Sequence, residues 1–278
     1  MMKQGKLLSV FLTAIIAIIA LLAIFPLFSL IISSLRPSSE LMRNGITLSV
    51  PFSQLNIDNY LYIFTQASNY WGWYVNSIII SILSIVLCLF FSSMVGYALA
   101  VYEFKGRQFI FILVLLILMV PFEILMLPLY RLMIGIGLID TYLAVILPTI
   151  VAPVAVFFFR QYAAGLPKEL MESARIDGCT EYGIFFKIMS PLMLPSFAAM
   201  AILQGLSSWN NFLWPLVVLR SNNMFTLPIG LATLLTPYGN NYDVLIAGAV
   251  MTVLPVIILF LFFQRFFISG LTVGGVKG

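Results

Sequence analysis

The sequence predicts an all-α membrane protein with six transmembrane helices, and three observations lead there. The 278 residues are 62% hydrophobic and 9% charged, and their mean hydropathy of +1.09 lies far above what a soluble domain of this size tolerates. Apolar runs of about 18 residues or more, free of charge except for Glu123 and long enough to cross a hydrocarbon core of about 30 Å as a helix, recur along the whole chain. None of these runs is a short segment of alternating polarity, as a membrane barrel would need, and in lipid only helices and closed barrels satisfy their own backbone.

In order, the predicted spans cover residues 7–32, 73–100, 109–129, 141–159, 191–219 and 244–264. The first follows Lys3 and Lys6 as a secretory signal would. Its apolar run is too long for a signal core and no small-x-small cleavage site follows, so it reads as an uncleaved span. An even number of spans puts both termini on one side. With them fall Lys3, Lys6, Lys105, Arg107, Arg160, Lys168, Arg175, Lys187, Arg265 and Lys277, against Arg36, Arg43, Arg131 and Arg220 opposite. Basic residues stay inside, so both termini are expected in the cytoplasm. The loop Ser33–Gly72 then lies outside, with Tyr60, Tyr62, Tyr70, Trp71 and Trp73 expected as membrane-interface anchors. No repeat or linker divides the chain, so residues 1–278 read as one domain.

Composition also narrows the chemistry. There is no His, the commonest metal ligand and proton carrier near neutral pH, and the two Cys, Cys88 and Cys179, are far apart. Neither a metal site nor a catalytic residue is expected, and each Cys reads as a small apolar filler. The net charge of +4 reflects basic residues held at the inner face, and a nucleic-acid partner is not expected.

One run breaks the apolar pattern, from Leu166 to Gly178. Pro167 suits the first turn of a helix, Glu169 and Glu172 its N-terminal half, and Gly178 a left-handed C-terminal cap. Leu166, Leu170, Ala174 and Gly178 recur every four residues as a small, apolar stripe. On pattern alone such a helix either lies against lipid headgroups or receives a soluble partner.

Glu172-Ser173-Ala174, then Gly178, then Ile188 and Pro191 resemble the EAA loop of ABC importer permeases. Ser173 replaces the usual first Ala and Ser190 the usual Leu. Tyr97-Ala98-Leu99, Pro128-Leu129-Tyr130, Trp209-Asn210-Asn211-Phe212, Thr226-Leu227-Pro228 and the ending Gly270 to Gly278 extend the resemblance to the carbohydrate-uptake, MalG-like permeases. The resemblance implies the type I ABC importer permease fold, with residues 163–190 as a cytoplasmic coupling loop. It implies that Glu172, Ser173, Ala174, Asp177 and Gly178 meet an ATPase, with Glu172 facing a basic residue there. It further implies two ABC ATPase subunits, a second, different permease and an extracellular solute-binding protein as partners, in the inner membrane of a bacterium or archaeon. The glycine-rich tail either approaches the ATPases or frays.

Polar residues within spans are the candidates for a substrate pathway: Glu123, Gln204, Trp209, Asn210 and Asn211, with Asn76 and Gln264 also weighed. Glu123, between Pro121 and Pro128, marks a broken helix that opens either to a pathway or only to the interface. The amides and indoles from Ser207 to Trp214 suit an uncharged polyhydroxylated ligand, or else hydrogen bonds between spans. No G-x-x-x-x-G-K-[ST] loop occurs, so no cofactor is expected on this chain, with ATP and Mg held by the partner subunits. The expected function is import of a sugar or oligosaccharide by alternating access. A polyol or glycerol phosphate importer is the nearest alternative, though the spans lack the cations a phosphate requires. An ion-coupled carrier would have only Glu123 to work with.

Overall fold

The computed structural model describes residues 2–37, 55–65, 69–235 and 242–273, with side chains for 8–37, 55–65, 69–235 and 244–262. All regular elements among the described residues are helices. The chain forms two compact units, residues 1–70 with 231–254, and 71–230 with 255–278.

In the first unit, α1 (Met2–Ser34) is one long helix with Pro26 inside it. Its most apolar window is 0% buried within the chain. Apolar side chains such as Phe11, Ile16 and Leu21 point outward on all sides, the pattern of a helix made for lipid. Its end is tied down by α2 (Asp58–Thr65). Asn59 donates to the carbonyls of Ser34 and Arg36, both at 2.8 Å, and Tyr60 shares a 2.7 Å hydrogen bond with the Ser34 hydroxyl. Tyr70 is buried and donates to the Gly248 carbonyl at 3.0 Å. Tyr60 and Tyr70 are therefore structural ties, where interface anchors were expected.

The second unit is built on α3 (Tyr70–Val101), unbroken for 32 residues and so about 48 Å long. The remaining apolar runs are bent. Helices α4 (Arg107–Leu118) and α5 (Phe122–Gly135) meet at 105°, and the pair Tyr142–Thr149 and α7 (Pro153–Ala164) at 41°, where α6 is Tyr142–Ile146. The pair Glu181–Leu192 and α11 (Leu194–Trp209) meets at 77°. Three helices, including α14 (Tyr242–Val273), are thus long and apolar enough to cross a membrane alone, or up to six spans if each bent pair counts as one. Where the sequence predicts the spans 109–129, 141–159 and 191–219, the structure has bent helix pairs in place of single straight helices. Each break lies beside a proline, Pro121, Pro153 or Pro191 with Pro195, which withholds a backbone N–H, and before Pro153 the residue Ala152 is extended as well. The last of these runs also stops early, at Trp209, where the Asn210 side chain caps the Leu206 carbonyl at 2.9 Å. A separate short helix, α12 (Leu213–Val218), follows.

Two cores hold the second unit. One gathers Cys88, Tyr97, Phe159, Met171, Ala174, Phe185 and Met189. The other gathers Ile80, Met133, Ile146, Trp214, Val218 and Ile229. Between α3 and α7 the backbones nearly touch at Gly96. A Cβ there would stand 2.7 Å from the Phe159 Cβ and 2.8 Å from the Val156 carbonyl oxygen. Backbone cannot give way, so Gly96→Val is expected to cost about 3 kcal/mol or more. Gly72→Ala, with nothing within 4 Å, is expected to be neutral or slightly stabilising. Thermal unfolding of the two variants in detergent checks the contrast.

Candidate functional site

The polar run folds as α8 (Glu169–Ile176). Lys168 already has helical angles, so Pro167 sits just outside the helix, and Glu169 and Glu172 lie in the first turn, where the helix dipole favours acids. The far end closes as a Schellman motif. Gly178 has φ +81°, its N–H bonds to the Arg175 carbonyl at 3.1 Å, and the Cys179 N–H to that of Ala174 at 2.9 Å. Thr180 then caps α9 (Glu181–Ile184), accepting from the Gly183 N–H at 3.1 Å. A short, stiff helix with both ends fixed is the result.

Its rotation differs from the four-residue stripe. Met171 and Ala174 face the core, each 4% exposed, with Leu166 beside them. Leu170 and Gly178 face outward. Ala174 therefore packs the helix down and does not offer a docking surface, because Met171 reaches Tyr97 and fixes which side is buried. Glu172, Ser173, Asp177 and Gly178 are exposed together with Ile176, at 86%, and Tyr182, at 72%. Ile176, at the end of α8, and Tyr182, on α9, thus leave two large apolar side chains open beside a polar face. Cys179 is exposed too, so it is not a packing filler.

Beneath this face runs a network that sequence reading missed. Arg175 donates to both carboxylate oxygens of Glu181, at 2.7 and 3.2 Å. The Tyr102 hydroxyl donates to Glu181 Oε2 at 2.8 Å, and the Tyr97 hydroxyl to Met171 Sδ at 3.3 Å. The only hint in the sequence is a pair of opposite charges flanking the Gly178 turn.

The pathway candidates are not brought together. A cavity of about 380 Å³ is lined by Tyr74, Ile78, Ser81, Gly205, Trp209 and Leu259 among others. Of the candidates with described side chains, Trp209 alone lines it, its indole edge-on to Tyr74 with centroids 5.8 Å apart. Gln204 is buried, Asn210 caps Leu206, and Glu123 is exposed in the first turn of α5. Asn76 closes backbone, donating to the Asn223 and Phe225 carbonyls at 2.8 and 2.9 Å and accepting from Tyr142 at 2.6 Å. Trp73, expected at the interface, is buried and donates to Asn222 at 2.9 Å. The Gln264 side chain and residues 274–278 lie outside the described residues.

The loops near this end are knotted by Asp140, whose φ is +62°. Its Oδ1 accepts the Arg220 and Ser221 N–H groups at 2.8 and 3.0 Å, and its Oδ2 the Ser221 hydroxyl. Burial alone would raise its pKa. The Ser221 hydroxyl, the two N–H groups and the Arg220 charge together hold it below the usual carboxylate range.

The family model described as "Binding-protein-dependent transport system inner membrane component" matches residues 90–273, a stretch that includes α8, its Gly178 cap and the clamp that Arg175, Glu181 and Tyr102 form. The chain belongs to this family. Its members are permease subunits of binding-protein-dependent importers. The arabinooligosaccharides transport system permease protein AraQ of Halalkalibacterium halodurans is 76% identical over 90% of both chains. The protein of that name in Bacillus subtilis is 64% identical over 90% of this chain and 89% of its own. The lactose transport system permease protein LacG of Rhizobium radiobacter is 34% identical over 89% of each. In fold, the permease matches a crystal structure of a bacterial ABC transporter involved in import of the acidic polysaccharide alginate, with a TM-score of 0.82 over 95% of this chain at 22% identity.

Two outcomes follow from the geometry of this permease. Gly178→Ala should destabilise the α8 cap by about 1–2 kcal/mol through backbone strain alone, since space is free, and Gly178→Asn by less; hydrogen exchange of the Cys179 amide reads both. Because the folded pKa of Asp140 is depressed, its contribution is complete above the ordinary carboxylate pKa and is lost as pH falls through the folded value. Asp140→Asn should therefore flatten the acid limb of a stability-against-pH curve.

Proposed function

We propose that this permease carries an oligosaccharide of the arabinooligosaccharide class into the cytoplasm by alternating access, driven by ATP bound and hydrolysed elsewhere. The 76% identity to an arabinooligosaccharide permease over 90% of both chains carries the substrate reading. In this reading each bent helix pair is one span, the six spans place both termini in the cytoplasm, and the protein sits in a bacterial or archaeal inner membrane. The excess of Lys and Arg on the terminal side supports that orientation.

The chain works in an assembly with two ATPase subunits, a second and different permease, and an external solute-binding protein. ATP and Mg belong to the ATPases. Helix α8 is the coupling helix: Glu172, Ser173, Asp177 and Gly178 meet the ATPase beside the exposed Ile176, while Ala174 and Met171 hold the helix to its own subunit. Glu172 faces a basic residue of the ATPase, an arrangement favoured by the free carboxylate on the outer face of α8. Within the membrane, Trp209 is the pathway candidate that the cavity supports.

The test is uptake into proteoliposomes that hold the full assembly with its binding protein outside. ATP-dependent accumulation of radiolabelled arabinooligosaccharide, competed by unlabelled arabinooligosaccharide and not by lactose, is the expected result; absence of uptake with an active ATPase removes the substrate reading. Glu172→Lys should insert normally yet lower uptake about ten-fold or more by setting like charges against each other at the interface.

A further inference from the structure

We infer that Glu181 is a positioning residue of transport, the link through which movement of the coupling helix reaches α3. The inference rests on the coupling role proposed for α8.

Two separate ties join α8 to one short stretch of α3 and its exit. Met171 on the inner face of α8 accepts from Tyr97. Arg175 in its last turn reaches Tyr102 only through Glu181, which binds the guanidinium with both oxygens and Tyr102 with one. The end of α3 that receives them is itself a junction. Arg107 caps the Leu99 and Ala100 carbonyls at 2.8 and 2.9 Å, and Gly96 sets α3 backbone against α7. At the other end of the same unbroken helix, Tyr74 packs on Trp209, and Asn76 and Ser77 hold residues 223–227. A displacement delivered at Tyr102 therefore arrives at the cavity wall through one rigid rod.

Stability does not explain the ion pair. Its side chains are 43% and 46% exposed, and pairs in such surroundings contribute little to folding. Covered by a docked ATPase, the same bidentate pair would lose its competing water and stiffen. It would be strong when the ATPase pulls and weak otherwise. The rival route runs along the chain, through α9 and the π-helical turn Phe185–Met189 into α11, and needs no carboxylate.

The experiment measures sugar carried per ATP hydrolysed in the reconstituted assembly. Wild-type uptake tests the coupling reading itself; the variants test the clamp. Glu181→Gln is expected to assemble with the ATPases and hydrolyse ATP but to carry about five-fold less sugar per ATP, the scale of coupling between contacting charges. Arg175→Glu alone should fall as far, and the exchange Arg175→Glu with Glu181→Arg should recover to within about two-fold of wild type. Tyr102→Phe, which keeps every carbon, should lose about two-fold. A wild-type ratio in Glu181→Gln, or a charge exchange as poor as its single variants, overturns the inference and favours the route through α9. Should Glu181→Gln fail to assemble, an unchanged ratio in Tyr102→Phe overturns it equally.

Discussion

A backbone amide or carbonyl in hydrocarbon has no water to turn to, and most buried polar side chains of this permease are accounted for by that constraint. Its apolar runs are broken at prolines, and each break opens groups that a continuous helix would have closed. Side chains close them. The N–H of Ala152, just before Pro153, goes to the Ser92 hydroxyl at 3.2 Å. The Trp214 indole takes the Ala144 carbonyl at 3.0 Å. The non-helical stretch before α13 (Leu227–Thr233) is met by Asn76 and by Ser77, which accepts the Leu227 N–H at 2.7 Å. Polar residues thus sit where backbone needs them, and Asn76, Ser77 and Ser92 do so from α3, a helix with no break of its own.

That helix is α3, and its continuity explains why so much converges on it. A straight helix spends its hydrogen bonds internally, leaving its side chains free to serve its neighbours. Its own orphan carbonyls appear only at its end, where Arg107 takes both Leu99 and Ala100 and the Arg160 guanidinium lies 3.6 Å over the Phe111 ring. Cations at a helix C-terminus also meet the negative end of the dipole. The α8 helix achieves the same end with backbone alone, through Gly178 and the Schellman bonds. One helix end is closed by charge and the other by shape, and the two lie together where α8 is clamped.

How legible this was in the sequence depended on range. The α8 cap could be read because Pro167, Glu169, Glu172 and Gly178 act within a few residues of one another. The rotation of α8 could not, because it is set by Met171 meeting Tyr97, 74 residues away. Hydropathy found the apolar runs since it measures length, but it carries no direction, so a bend of 105° and a straight helix score alike. The prolines at the breaks were visible, and only their angles were missing. Asn76 and Asn210 looked like pathway residues for a related reason: an amide within an apolar run has the same appearance whether it faces a ligand or mends a helix end, and here both mend.

The cavity beside Trp209 bears on how a polar ligand could be handled. Its walls are Ile, Leu, Val, Pro and aromatic side chains, with Ser81 the one hydroxyl-bearing aliphatic residue among them. A sugar pressed against such walls keeps apolar contact along its C–H faces but loses hydrogen bonds that water had made, at a cost of about 1–3 kcal/mol for each hydroxyl left unpaired. Such walls favour contact with the C–H faces of a sugar over binding through its hydroxyls. A transporter does not require it there, since a solute must leave as readily as it enters. Selection belongs to a surface with enough donors and acceptors to replace the hydration shell, and on this chain the described polar side chains are largely committed to backbone. Hydrogen-bonded recognition of a sugar by this subunit would therefore have to draw on polar groups outside this cavity.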